Sequence, residues 1–134
     1  MIHDPDLRKM EQHTRTATDD RALLARYERA VEAEVNALAS GARDALAEIG
    51  DLARILNVQP QFLSRTVKQV SGRTPCDIYE ERLMELARQL LLDKSLSAAE
   101  VGRRLTMDPS NFGKFFKRFQ GCTPGEFRRQ NMVG

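Results

Sequence analysis

Asp51-Leu-Ala-Arg-Ile-Leu-Asn-Val-Gln-Pro-Gln-Phe-Leu-Ser-Arg-Thr-Val-Lys68 lies without a gap over Glu100-Val-Gly-Arg-Arg-Leu-Thr-Met-Asp-Pro-Ser-Asn-Phe-Gly-Lys-Phe-Phe-Lys117, 49 residues further on. The register holds past that stretch, because Gly72-Arg-Thr-Pro75 falls on Gly121-Cys-Thr-Pro124. A duplication of this length with helical punctuation is one supersecondary unit used twice. Pro60 and Pro109 each follow an apolar position (Val58, Met107) where a second helix begins, and proline is tolerated in a first turn because its missing N–H has no partner there. Gly72 and Gly121 are the matching stops. Thr74-Pro75-Cys76-Asp77 and Thr123-Pro124-Gly125-Glu126 are matched starts, with a threonine cap, proline at the first helical position and an acid at the third. Each unit therefore reads as helix, tight turn, helix.

Outward from the repeat, Ile78, Leu83, Leu86, Ala87, Leu90 and Leu91 recur at helical steps and predict a linker helix of ~17 residues, roughly 25 Å long. Upstream, Leu23, Leu24, Tyr27, Val31, Val35 and Leu38 form one apolar stripe. That helix starts at Asp19 and Asp20, carboxylates suited to the positive end of the helix dipole, and stops at Ser40-Gly41. Residues 42–57 are again helical in composition, while residues 1–17 are polar and unpatterned. The resulting fold class is all-α: two helix-turn-helix units joined by a long linker helix, with an extra N-terminal helix. The divisions are residues 1–47 (polar tail and amphipathic helix) and 48–134, the latter split into 48–73, 74–94 and 95–134.

The 134 residues suffice for one domain or two very small ones, and the 41% hydrophobic share supports a modest core that the linking helix must help to complete. No 18-residue apolar run exists, so no membrane span is expected, and the first residues lack the features of a signal peptide. Cys76 and Cys122 stand alone, without the spacing of a metal site, which suits a reducing cytoplasm. The net charge of +2 is unevenly placed. Residues 1–50 hold 7 Lys/Arg against 10 Asp/Glu, whereas residues 51–134 hold 14 against 9. Basic charge collects on the repeat, which suits a polyanion partner and equally suits an ordinary solvated surface.

The period assigns faces. In the first unit Leu52, Leu56, Leu63, Val67 and Val70 point inward, leaving Gln61, Ser64, Arg65 and Lys68 outward. In the second, Val101, Leu105, Phe112, Phe115, Phe116 and Phe119 point inward, leaving Ser110, Asn111, Lys114, Lys117 and Arg118 outside. Arginine donates twice to guanine and asparagine or glutamine pairs with adenine, while lysines and cap hydroxyls suit phosphates. The phenylalanines, at helical spacing, read as core rather than as a base-stacking surface.

The runs Leu56-Asn-Val-Gln-Pro-Gln-Phe-Leu-Ser-Arg65, Glu81-Arg-Leu-Met-Glu-Leu-Ala-Arg-Gln-Leu-Leu91, Phe112-Gly-Lys-Phe-Phe-Lys-Arg118 and Gly121-Cys-Thr-Pro-Gly-Glu-Phe-Arg128 resemble the DNA-binding domain of AraC/XylS-type transcription regulators. The resemblance covers about 82 residues, from 48 to 129. It implies base contacts from Gln61, Ser64 and Arg65 in the first unit and from Ser110, Asn111 and Lys114 in the second. It implies phosphate contacts from Lys68, Lys117, Arg118 and Thr123. The sequence departs from the family where Asn57 and Thr106 replace the glycine of each turn, and where Gly113 replaces a hydroxyl side chain. Asparagine tolerates a left-handed backbone, whereas threonine there is strained.

The expectation is a cytoplasmic, sequence-specific regulator of double-stranded DNA, with no cofactor and no metal. RNA polymerase is the further partner implied. The stripe on residues 19–39 either packs onto the first unit or supports a homodimer, since it offers about two heptads of apolar face. A helical protein-protein interaction module is the alternative, although two units are too few for a self-supporting solenoid. Enzyme chemistry is not expected. His3 and His13 lie in the polar N-terminus, no phosphate loop is present, and neither cysteine has a base beside it.

Overall fold

Most of the helices begin where a side chain caps the N-terminus, at Thr16, Thr74, Ser97, Asp108 and Thr123. The computed structural model describes residues 16–131, and among them are seven α-helices and no strand. They are α1 (Ala17–Ala39), α2 (Ile49–Ile55), α3 (Pro60–Ser71), α4 (Pro75–Leu91), α5 (Ala98–Arg104), α6 (Pro109–Gln120) and α7 (Pro124–Asn131). Thr74 Oγ1 accepts from Asp77 N at 3.1 Å, and the Asp77 carboxylate accepts from Thr74 N at 3.0 Å. Those bonds hold the Asp77 carboxyl below its ordinary range, the backbone bond from Thr74 contributing most. Thr123 Oγ1 accepts from Glu126 N in the same way, at 3.1 Å. Both second helices carry proline at their first turn and stop at a left-handed glycine, Gly72 at φ 76° and Gly121 at φ 85°.

The first helix starts earlier than the acidic pair suggests. Thr16 is its cap, closing a reciprocal pair of bonds with Asp19, so Asp19 is the third helical residue. The unpatterned start expected at residues 1–17 otherwise lies outside the described residues. A second expectation holds only in part: of residues 42–57, Ile49–Ile55 is helical and the rest are not. Gly41, at φ 81°, breaks the chain direction. Tertiary anchors then hold the segment in place of helical bonds. Arg43 reaches back to the buried Glu34 at 3.3 Å, and Ala47 N donates to the Tyr79 hydroxyl at 3.3 Å.

Both turns repeat a detail predicted from sequence. Asn57 has φ 58° and Thr106 has φ 60°, at matching places in the two units. The left-handed region costs a β-branched residue on the order of 1–2 kcal/mol. Glycine is freed of that penalty but loses more entropy on folding. Thr106→Gly is therefore expected to raise stability by roughly 1 kcal/mol, read as a higher denaturation midpoint with an unchanged slope.

One continuous core runs through both units. Leu23, Tyr27, Val31, Val35 and Leu38 on α1 are buried, and α1 packs against α3 and α4. The stripe is thus engaged within the chain, on the first unit. The Tyr27 hydroxyl donates to the Pro75 carbonyl at 2.6 Å, which ties α1 to the start of the linker helix. Burial drives the Tyr27 pKa upward and keeps the hydroxyl a donor. In the second unit Val101, Leu105, Phe112 and Phe116 are buried as expected, with Phe127 against Phe116 in an edge-to-face contact of 5.4 Å. Phe119 departs from the inward set, being 40% exposed, and Val70 and Phe115 are only partly buried. The last turn of α6 extends past the core, and Phe119 there packs against Phe115 in a tilted contact of 5.1 Å instead.

Candidate nucleic-acid interface

The face opposite the core on α3 and α6 holds the predicted contact residues. At ~100° per residue, Gln61, Arg65 and Lys68 share one stripe of α3, and Ser110, Lys114 and Lys117 share the equivalent stripe of α6. All six are exposed, while Ser64 is half-buried at the edge. Apolar residues hold these stripes outward: Leu63 and Val67 anchor α3, and Phe112 and Phe116 anchor α6. The packing partners of α3 are α1, α2 and α4, and those of α6 are α4, α5 and α7, so each helix keeps one uncovered side.

The candidates divide by what they already touch. Gln61, Arg65, Ser110, Lys114 and Lys117 form no side-chain hydrogen bond or ion pair with other described residues. Long cationic and amide side chains left in this state on adjoining turns are available to an anionic ligand. Others are engaged. Lys68 Nζ donates to the Gly72 carbonyl at 2.9 Å, where it caps its own helix. Asn111 Nδ2 donates to the Asp108 carboxylate at 2.6 Å, and that carboxylate also accepts from Asn111 N. Thr123 serves as the cap of α7. The Arg118 guanidinium donates to Glu80 on α4 at 3.2 Å and lies over the Phe119 ring at 4.8 Å.

Sequence reading missed the arginines that brace the second unit. Arg128 Nε donates to the Leu91 carbonyl at 2.8 Å and so clasps α7 to the end of the linker helix. Arg88 donates to Gln120 at 3.0 Å, joining the linker helix to the end of α6. Neither partner is near in sequence, and no local pattern announces the pair.

Cys76 and Cys122 are both free thiols. Cys76 is exposed, and burial of its sulfur together with the charges of Glu80 and Asp77 pushes its pKa up, away from thiolate. Among the described residues no group of His, Cys, Asp and Glu is placed to hold a metal ion. His3 and His13 lie outside the described residues.

Residues 52–130 match the family model described as a helix-turn-helix domain. The regulator GlxA of Rhizobium meliloti is 33% identical over 81 residues, covering 60% of this chain and 25% of that protein. The C-terminal domain of AraT, a response regulator from Geobacillus stearothermophilus, superposes with a TM-score of 0.68 at 28% identity, over 81% of this chain and 88% of that one. The DNA-binding domain of AdpA, solved in complex with a target DNA, shares the fold at a TM-score of 0.59 and 23% identity, over 73% of this chain and 89% of that one. The chain spans under a third of the length of the curated relatives it matches. A family model that covers more than half of the chain, together with these shared folds, places it: the chain belongs to the AraC-type helix-turn-helix family.

Proposed function

We propose that this chain is a sequence-specific regulator of transcription that binds double-stranded DNA by placing α3 and α6 in two adjacent major grooves. The observation that supports it most is the pairing of faces: matching stripes of two repeated helices carry amide, hydroxyl and cationic side chains, of which Gln61, Arg65, Ser110, Lys114 and Lys117 have no partner among the described residues. Gln61, Ser64 and Arg65 read bases from the first unit, and Ser110, Asn111 and Lys114 from the second. Lys68, Lys117, Arg118 and Thr123 hold phosphates. Asn111, Lys68 and Arg118 exchange intramolecular partners to do so, which lowers what each adds to affinity. The two grooves must present on one side of the duplex, about one turn or ~34 Å apart. One protomer then reads roughly 20 base pairs asymmetrically, and any mismatch with the spacing set by α4 is met by bending the duplex.

RNA polymerase is the further partner such a regulator needs. A homodimer through residues 19–39 would have to use the polar side of α1, because its apolar stripe packs on α3 and α4. The cytoplasm is the proposed location, and no helix among the described residues is long and apolar enough to cross a membrane.

Selection of bound duplexes from a random pool tests the reading, and a motif with two half-sites one turn apart is the expected result. A protein that retards no duplex at low salt yet captures a protein partner is an interaction module instead. On the selected duplex, Lys117→Ala is expected to weaken all sequences alike and to flatten the salt dependence by about 0.9 in log–log slope, the share of one phosphate contact.

A further inference from the structure

We propose that Glu80 on the linker helix restrains DNA affinity by holding Arg118 in competition with the phosphate backbone. The inference rests on the DNA-binding reading above and adds a residue outside both recognition helices. Arg118 stands one turn beyond Lys114 and next to Lys117, at the edge of the uncovered stripe of α6. Its guanidinium is drawn off that stripe toward α4 by two contacts, the Glu80 carboxylate at 3.2 Å and the Phe119 ring at 4.8 Å. Phe119 is in turn fixed on Phe115. The arginine side chain is 66% exposed and the carboxylate 33%, so the pair is screened and weak enough to open.

The first unit lacks the arrangement. Gln69 occupies the place of Arg118, with no charge to withhold. The cation at this one place is therefore particular to the second unit, where it adds to the lysine that both units share (Lys68, Lys117), and a carboxylate already stands against it. Each phosphate bound by Arg118 requires Glu80 to be released, uncompensated, close to a polyanion. Removing the carboxylate charge frees the arginine for the phosphate.

The test measures binding of the full chain to the selected duplex over a range of salt, for wild type, Glu80→Gln, Arg118→Ala and the double variant. Glu80→Gln is expected to bind about threefold tighter, the scale of an exposed ion pair. Its salt slope should steepen by about 0.9, for one more phosphate neutralised. In the Arg118→Ala background the same change should leave the slope as it was. Weaker or unaltered binding by Glu80→Gln overturns the proposal. So does an equal gain with and without Arg118, which would mark a general charge effect. If all four proteins retard no duplex, the DNA-binding reading itself is refuted, an outcome distinct from a wild type that binds and an E80Q variant that does not differ.

Discussion

Gly102→Ala is expected to destabilise the protein by about 2 kcal/mol. Gly102 is buried in α5, and a Cβ built there meets Phe112 Cβ at 2.9 Å and Phe112 Cγ at 3.1 Å. The root of a fully buried phenylalanine cannot swing aside as the tip of a long side chain can. Overpacking costs roughly 1–3 kcal/mol, a contact under 3 Å with the root of a buried ring falls at the upper end of that range, and the better helix propensity of alanine returns about 1, which leaves about 2. The repeat identifies the compensation. Ala53 and Leu63 occupy the corresponding places in the first unit, both buried, so a small-to-larger change at one position is matched by a large-to-smaller change at the other. Phe112→Leu should therefore cost less in the Gly102→Ala chain than in the wild type. Thermal unfolding of the four proteins measures that coupling, and Gly102→Ala alone should lower the midpoint by on the order of 10 °C. Strict additivity would show that the two positions do not share one space.

The two units also show which features a sequence reveals and which it conceals. Caps, prolines and stop glycines act within four residues, so their partners are visible in the sequence, and the reciprocal bonds of Thr74 with Asp77 follow from spacing alone. The left-handed turns at Asn57 and Thr106 are legible for the same reason. Residues 42–48 are not. Their alanines favour a helix, but Arg43 with Glu34 and Ala47 with Tyr79 anchor them otherwise, the latter pair lying 32 positions apart. At the candidate interface, the period places Gln61, Arg65, Lys114 and Lys117 on exposed stripes because burial of the opposite face decides that outcome. It cannot show that Arg118 is held by Glu80, 38 positions away, nor that Phe119 sits beyond the edge of the core. Asn111 is an intermediate case. An aspartate three residues before it is a visible cap, and a cap that accepts from the backbone N–H also attracts the side chain.

Arg65→Ala should reduce affinity for the selected duplex by about 5- to 150-fold, equivalent to about 1–3 kcal/mol, and erase preference at one base pair. Arg65 is the residue on α3 best placed for this, being exposed, in the middle of the stripe and without a partner among the described residues, whereas Lys68 is engaged with Gly72. Its planar fork matches the two acceptors of guanine, and a lysine ammonium does not reproduce that geometry. Arg65→Lys should accordingly lose the base preference while keeping the charge and the salt slope. Stability should hold within about 0.5 kcal/mol in both variants, as at an exposed position outside the core. The opposite pattern is equally clear to read. If Arg65→Ala weakens every sequence by the same factor and flattens the salt slope by about 0.9, the side chain touches phosphate. Base reading by the first unit would then fall to Gln61 and Ser64, the remaining polar residues on that edge of α3.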